Sequence, residues 1–213
     1  MSSSLHPRLH VSSHPLIQQK LTRARDKETE RESFRDLLAE IAALMVFEMT
    51  RDFPVTTVKI QTPLEEAAGA VLAADICVVP VLRAGLGMAD GILHLIPQAR
   101  AGHLGVYRNE KTLQPVAYFN KLPADIARTR VIIVDPMLAT GGSAVHAVNI
   151  IKQTGAREIQ LLCLLAAPEG IRRMAAEHPD VAIYTAAVDR ELDHRGYILP
   201  GLGDAGDRLY GTG

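Results

Sequence analysis

The side chains most able to do chemistry collect at four places. The first is Asp135-Pro136-Met137-Leu138-Ala139-Thr140-Gly141-Gly142-Ser143, where a carboxylate precedes two hydroxyls and two glycines in a single turn. Glycines let a backbone approach a ligand closely, and the unpaired N–H groups of a helix N-terminus attract an anion. Two glycines alone would be an ordinary tight turn. Asp, Thr, Gly, Gly and Ser together point to a phosphate, with Asp135 facing sugar hydroxyls or a cation shared with the ligand. The second place is Arg83-Ala84-Gly85. One Arg after a strand is usually a solvated end, yet this one precedes a glycine turn and a helix, where an anion can sit. The third, Tyr107-Arg108-Asn109-Glu110, reads by itself as a polar turn. The fourth is the tail segment 197–207, whose glycine-rich flexibility is commonplace but whose acids, Asp204 and Asp207, are not explained by it.

Other patterns are weaker. No Lys follows Gly141-Gly142, so a Walker A loop is excluded. Gly85-x-Gly87-x-x-x-Gly91 is a loose match to a dinucleotide fingerprint. Gly201-x-Gly203-x-x-Gly206 matches it literally, but too little chain follows for a Rossmann unit. A nucleotide-dependent oxidoreductase therefore rests on glycines alone. The eight histidines show no His-Glu-x-x-His spacing and the two cysteines no Cys-x-x-Cys, which disfavours a protein-built zinc site.

The four places together resemble the uracil phosphoribosyltransferases, a branch of the type I phosphoribosyltransferase family. DPMLATGGS resembles the family's loop for 5-phosphoribosyl-1-pyrophosphate (PRPP), with Asp135-Pro136 where most type I enzymes carry two acids. VPVLRAGLGM is similar to its pyrophosphate loop, and YRNE to a flexible loop that closes on pyrophosphate. GYILPGLGDAGD is similar to its uracil-binding segment. The likeness runs from His14 to Thr212.

That resemblance implies a reaction: uracil and PRPP give uridine 5′-monophosphate (UMP) and diphosphate, with Mg²⁺ held mainly through PRPP. It implies PRPP contacts from residues 135–143, Arg83, Arg108 and Asp204, and base contacts from Ile198, Gly203, Asp204 and Ala205. Arg83, Arg108 and Asp204 would be the catalytic set. Asp204 is the nearest candidate for a general base, though a carboxylate on magnesium is a weak one. The family further implies a homo-oligomer, dimer or tetramer, and raises a GTP effector. Two rivals keep the fold: an enzyme for another base, and an RNA-binding regulator.

These residues need a scaffold, and the chain supplies one. Its 213 residues, 47% hydrophobic and 22% charged, suffice for one sizeable α/β domain. Strands read at 76–82, 101–107, 131–134, 159–165 and 181–186, apolar and β-branched above all at 131–134, alternate with helical patterns, which predicts a mainly parallel, twisted sheet flanked by helices. Residues 116–119 should pair near the third strand, and 55–62 should form another strand. Helices are expected over 16–25, from a Thr29–Glu32 capping box through Glu48, and briefly after Pro63. Residues 1–13 are expected to be a mobile extension, 14–213 a single domain, and the segment from about 189 a small hood with part of the N-terminal region.

A net charge of −1 suggests no bulk basic surface and so disfavours nucleic acid as a partner, and no apolar run reaches membrane-spanning length. With no signal-peptide pattern and with Cys77 and Cys163 in apolar runs, a cytoplasmic protein with two buried strand thiols is expected.

Overall fold

The computed structural model describes residues 5–108 and 115–212, without the side chains of 107, 108 and 115. In chain order the first elements are β1 (Leu9–Val11), α1 (Pro15–Arg25), α2 (Arg31–Met49), β2 (Val55–Gln61), β3 (Glu66–Leu72), β4 (Ile76–Leu82) and α3 (Leu86–Leu95). Then come β5 (Arg100–Ala101), β6 (His103–Arg108), β7 (Pro115–Lys121), β8 (Arg130–Val134), β9 (Met137–Leu138) and α4 (Gly142–Gln153). The chain ends in β10 (Ile159–Ala166), α5 (Pro168–Glu177), β11 (Ala182–Val188), β12 (Glu191–Leu192), β13 (Ile198–Leu199) and α6 (Ala205–Tyr210).

The main sheet runs β1-β11-β10-β8-β4-β6-β7, with β5 against β4 and β9 against β10. Every pair is parallel except β6 with β7. Parallel strands need helical crossovers, and those helices cover both faces. Alternate side chains of β8 serve the two layers. Ile132 and Val134 pack with Phe34, Ile41, Met88 and Ile92 from α2 and α3. Val131 and Ile133 pack with Val148 and Ile151 of α4 and Ile171 of α5. Each such side chain stabilises by roughly 1.5–3 kcal/mol when fully buried. Cys77 on β4 and Cys163 on β10 are free thiols inside the second layer, as their apolar surroundings predict. Burial pushes their thiols up to about 11 and about 12.

Three local expectations are corrected. The helix expected after Pro63 is instead β3, paired with β2 along seven residues as an antiparallel hairpin. Thr62 makes the turn: its hydroxyl accepts from the N–H groups of Leu64 and Glu65 and donates to the Glu65 carbonyl. The capping box does not form. The Thr29 hydroxyl donates to the Arg23 carbonyl at 2.6 Å, and α2 starts one residue later behind Glu30, whose side chain caps nothing. The N-terminal segment is not free of structure throughout, since β1 adds an edge strand to β11. Among the described residues, no helix is long and apolar enough to cross a membrane.

Candidate active site

β8 is buried at the centre of the sheet and ends at Val134, one residue before Asp135. Pro136 has no N–H to donate, so the ladder breaks here. The next residues are nevertheless tied to β10. Asp135 N–H donates to Leu162, and the Pro136 carbonyl accepts from Leu164 and Leu165 at 3.1 Å each. Leu138 then accepts from Ala167 N–H at 2.9 Å. The turn is thus held largely by the backbone of a neighbouring strand, while inside it the Asp135 carboxylate accepts from Met137 N–H and the Thr140 hydroxyl from Gly142 N–H.

Gly141 turns the chain into α4 with φ of 78°, a left-handed conformation that a side chain strains. Its carbonyl accepts the Val145 N–H at 2.9 Å. The N–H groups of the helix's first turn have no carbonyl within the helix to meet. They border a cavity of about 220 Å³ walled by the turn 137–144, Asp135, Arg195, Tyr197 and Asp204.

A second cavity of about 210 Å³ adjoins it, walled by Ala84, Ile198, Gly203, Ala205 and Gly206. Asp135, Met137, Ala139, Gly196, Tyr197 and Asp204 line both. The turn after β8 and the glycine-rich tail are therefore neighbours around one depression at the carboxyl ends of the parallel strands, where open α/β sheets take their ligands.

The Asp135 carboxyl is pushed up to about 6 because burial disfavours its charge, while the Met137 N–H donating to it at 3.2 Å opposes this. Asp204 caps α6, accepting from Asp207 N–H at 2.9 Å through one oxygen. Arg83 is exposed and lines neither cavity, although Ala84 lines the second. Its guanidinium lies 5.7 Å from the centre of the Tyr210 ring, whose hydroxyl donates to the Arg83 carbonyl. The loop behind Arg83 fits tightly: a Cβ on Gly85 would lie 2.4 Å from the Val134 carbonyl oxygen. Arg108 ends β6, but its side chain and the segment 109–114 lie outside the described residues.

Sequence reading did not single out Arg195. Its place at the first cavity comes from the β12–β13 hairpin, where Asp193 accepts from the N–H groups of Arg195 and Tyr197. An Asp two residues before a basic residue is too common a pattern to have marked it.

The uracil phosphoribosyltransferase family model matches residues 11–212. Curated uracil phosphoribosyltransferases from Bacillus thuringiensis (strain Al Hakam) and Bacillus cereus (strain B4264) are each 55% identical over 96% of this chain and 99% of their own. A solved protein from Aquifex aeolicus superposes with a TM-score of 0.92 at 38% identity, over 96% of this chain and 98% of that one. A hypoxanthine-guanine phosphoribosyltransferase from Bacillus anthracis shares the fold, with a TM-score of 0.53 at 14% identity over 75% and 80%. Strand order, the turn after β8, the tail that meets it and near-full-length relatives agree: the chain belongs to the uracil phosphoribosyltransferase family of the type I phosphoribosyltransferase fold.

Proposed function

We propose that the chain transfers the phosphoribosyl group of PRPP to uracil, giving UMP and diphosphate. The observation that carries this is the shared wall of the two cavities, with a phosphate-type turn on one side and the glycine-rich tail on the other. Residues 139–143 would seat the terminal phosphate on their N–H groups, with Pro136, Met137 and Leu138 completing the loop. Asp135 would accept from ribose hydroxyls. Ile198, Gly203 and Ala205 would read uracil through backbone groups, since its edge alternates acceptors and donors. Cytosine changes that pattern and would leave polar groups unpaired.

As pyrophosphate departs, the sugar carbon gains oxocarbenium character. Arg83 and Arg108 would hold the developing negative charge with paired, directed hydrogen bonds. The exposure of Arg83 leaves it available for that role. The donor set suits Mg²⁺ in a limited way. Asp135 and Asp204 line both cavities, yet no group of three or more His, Cys, Asp or Glu among the described residues could cage a metal. Two carboxylates with substrate oxygens and water are a usual Mg²⁺ environment. When bound through PRPP, the ion would neutralise diphosphate charge.

The same reading makes the protein a cytoplasmic pyrimidine-salvage enzyme and a homo-oligomer. The β2–β3 hairpin supports the latter: it is exposed along nearly its whole length, with Leu64 at 93% and Ile60 at 47%. An isolated two-stranded hairpin is marginal in water, so a second copy packed on it is a natural occupant.

Ultraviolet-monitored turnover with PRPP and Mg²⁺ against a panel of bases, with and without GTP, tests this. Uracil should be converted. Turnover of hypoxanthine or orotate with none of uracil would overturn the assignment, and the GTP arm decides whether that nucleotide is an effector.

A further inference from the structure

Arg25 and Asp189 are 164 residues apart in sequence, and the fold joins them beneath the base-side loop. Arg25, the last residue of α1, places its two terminal nitrogens on the two carboxylate oxygens at 2.8 and 2.6 Å. Asp189 follows β11 and its side chain is only 6% exposed. Each partner also holds the same peptide segment. Asp189 accepts from the Gly201 N–H at 2.9 Å, and Arg25 donates to the Gly201 carbonyl at 2.8 Å. The next carbonyl, Leu202, accepts from Arg208 at 2.9 Å. Arg208 is itself fixed by the Ala24 and Asp26 carbonyls and lies 4.0 Å from the centre of the Phe34 ring. Gly201 and Leu202 are buried and line neither cavity, whereas Gly203 and Ala205 line the second.

We propose that Arg25, Asp189 and Arg208 are positioning residues for base recognition. They hold two consecutive carbonyls on the α1 side of the loop and thereby fix the direction in which the next peptide groups meet the base. This rests on the uracil reading above, in which Gly203 and Ala205 use main-chain groups. Backbone readout needs such a support. Gly201 and Gly203 have no side chains of their own to hold their peptide groups, and small misplacements of a reading group are costly. A guanidinium suits the task because its planar fork grips a carboxylate and a carbonyl at once, which a lysine ammonium cannot do with fixed direction.

The test compares Arg25→Ala, Arg25→Lys, Asp189→Asn and Arg208→Lys with wild type. It measures KM for uracil, KM for PRPP, kcat and the melting curve. Arg25→Ala and Asp189→Asn should raise KM for uracil on the order of tenfold, with KM for PRPP within about twofold. Arg25→Lys should fall between Arg25→Ala and wild type, and Arg208→Lys should show the same uracil-selective shift. Equal rises in both KM values, or no rise in either, would overturn the proposal. If Arg25→Ala gives no cooperative melt, Asp189→Asn and Arg25→Lys read the same split. If wild type prefers another base, the function reading fails while the split is measured with that base. If wild type accepts none, amide exchange decides: Asp189→Asn should speed exchange of the Gly201 N–H, which donates to Asp189, and unchanged protection would sink the clamp.

Discussion

Asp135 is an acid kept partly out of water, opposed only by one peptide N–H. Its folded-state pKa of about 6 lies above the ordinary 3.8, so the folded chain prefers the protonated form. That preference contributes stability below the unfolded value and is lost as pH rises through the folded one. Asp135→Asn should therefore be more stable than wild type at about pH 8, by on the order of 2–3 kcal/mol, with the gap closing below about pH 4. Urea midpoints across that range check it, and a gap independent of pH would contradict the burial argument. Gly85 poses the opposite case. A methyl group there meets the Val134 carbonyl at 2.4 Å and the Val81 backbone at 2.8 Å, both belonging to buried strands that cannot yield. Gly85→Ala should cost about 3 kcal/mol or more in chemical denaturation; a loss below about 1 kcal/mol would mean the loop has room to shift.

At the level of elements, α2 begins without a side-chain cap, because Thr29 is engaged with Arg23. Glu30→Ser should supply one and raise stability by about 0.5–1 kcal/mol, read as a higher melting temperature with unchanged kinetics. The error in the capping box is informative. Thr29 and Glu32 have the right spacing, but a carbonyl from the end of α1 outcompeted the local partner. β4, β8 and β10 were legible because parallel strands covered on both faces are continuous apolar runs, whereas the strand expected over 101–107 divides into β5 and β6. β3 was not, because Glu66, Ala67 and Ala68 have no strand preference of their own and are ordered by pairing with β2. β1 was hidden for a related reason. A three-residue edge strand carries no period, and β11 supplies its partner from far along the chain.

For the whole molecule, legibility divides along sequence distance. The turn after Asp135 and the tail around Asp204 could each be read as local motifs, and their meeting at one depression follows from the parallel sheet. The Arg25–Asp189 pair could not, since neither residue has a telling neighbour. Nor does a single chain explain the exposed β2–β3 hairpin. If another copy covers it, Ile60→Lys combined with Val71→Lys should lower the mass seen by light scattering while circular dichroism stays the same. An unchanged mass would locate the contact elsewhere.

The two thiols on β4 and β10 carry a last implication. With pKa values of about 11 and about 12 and no exposed surface, they are almost wholly protonated and out of reach near neutral pH. A maleimide in solution can modify them only in molecules whose sheet has come apart. The rate at which label accumulates on an otherwise untouched sample is therefore a chemical clock for spontaneous breathing of the sheet.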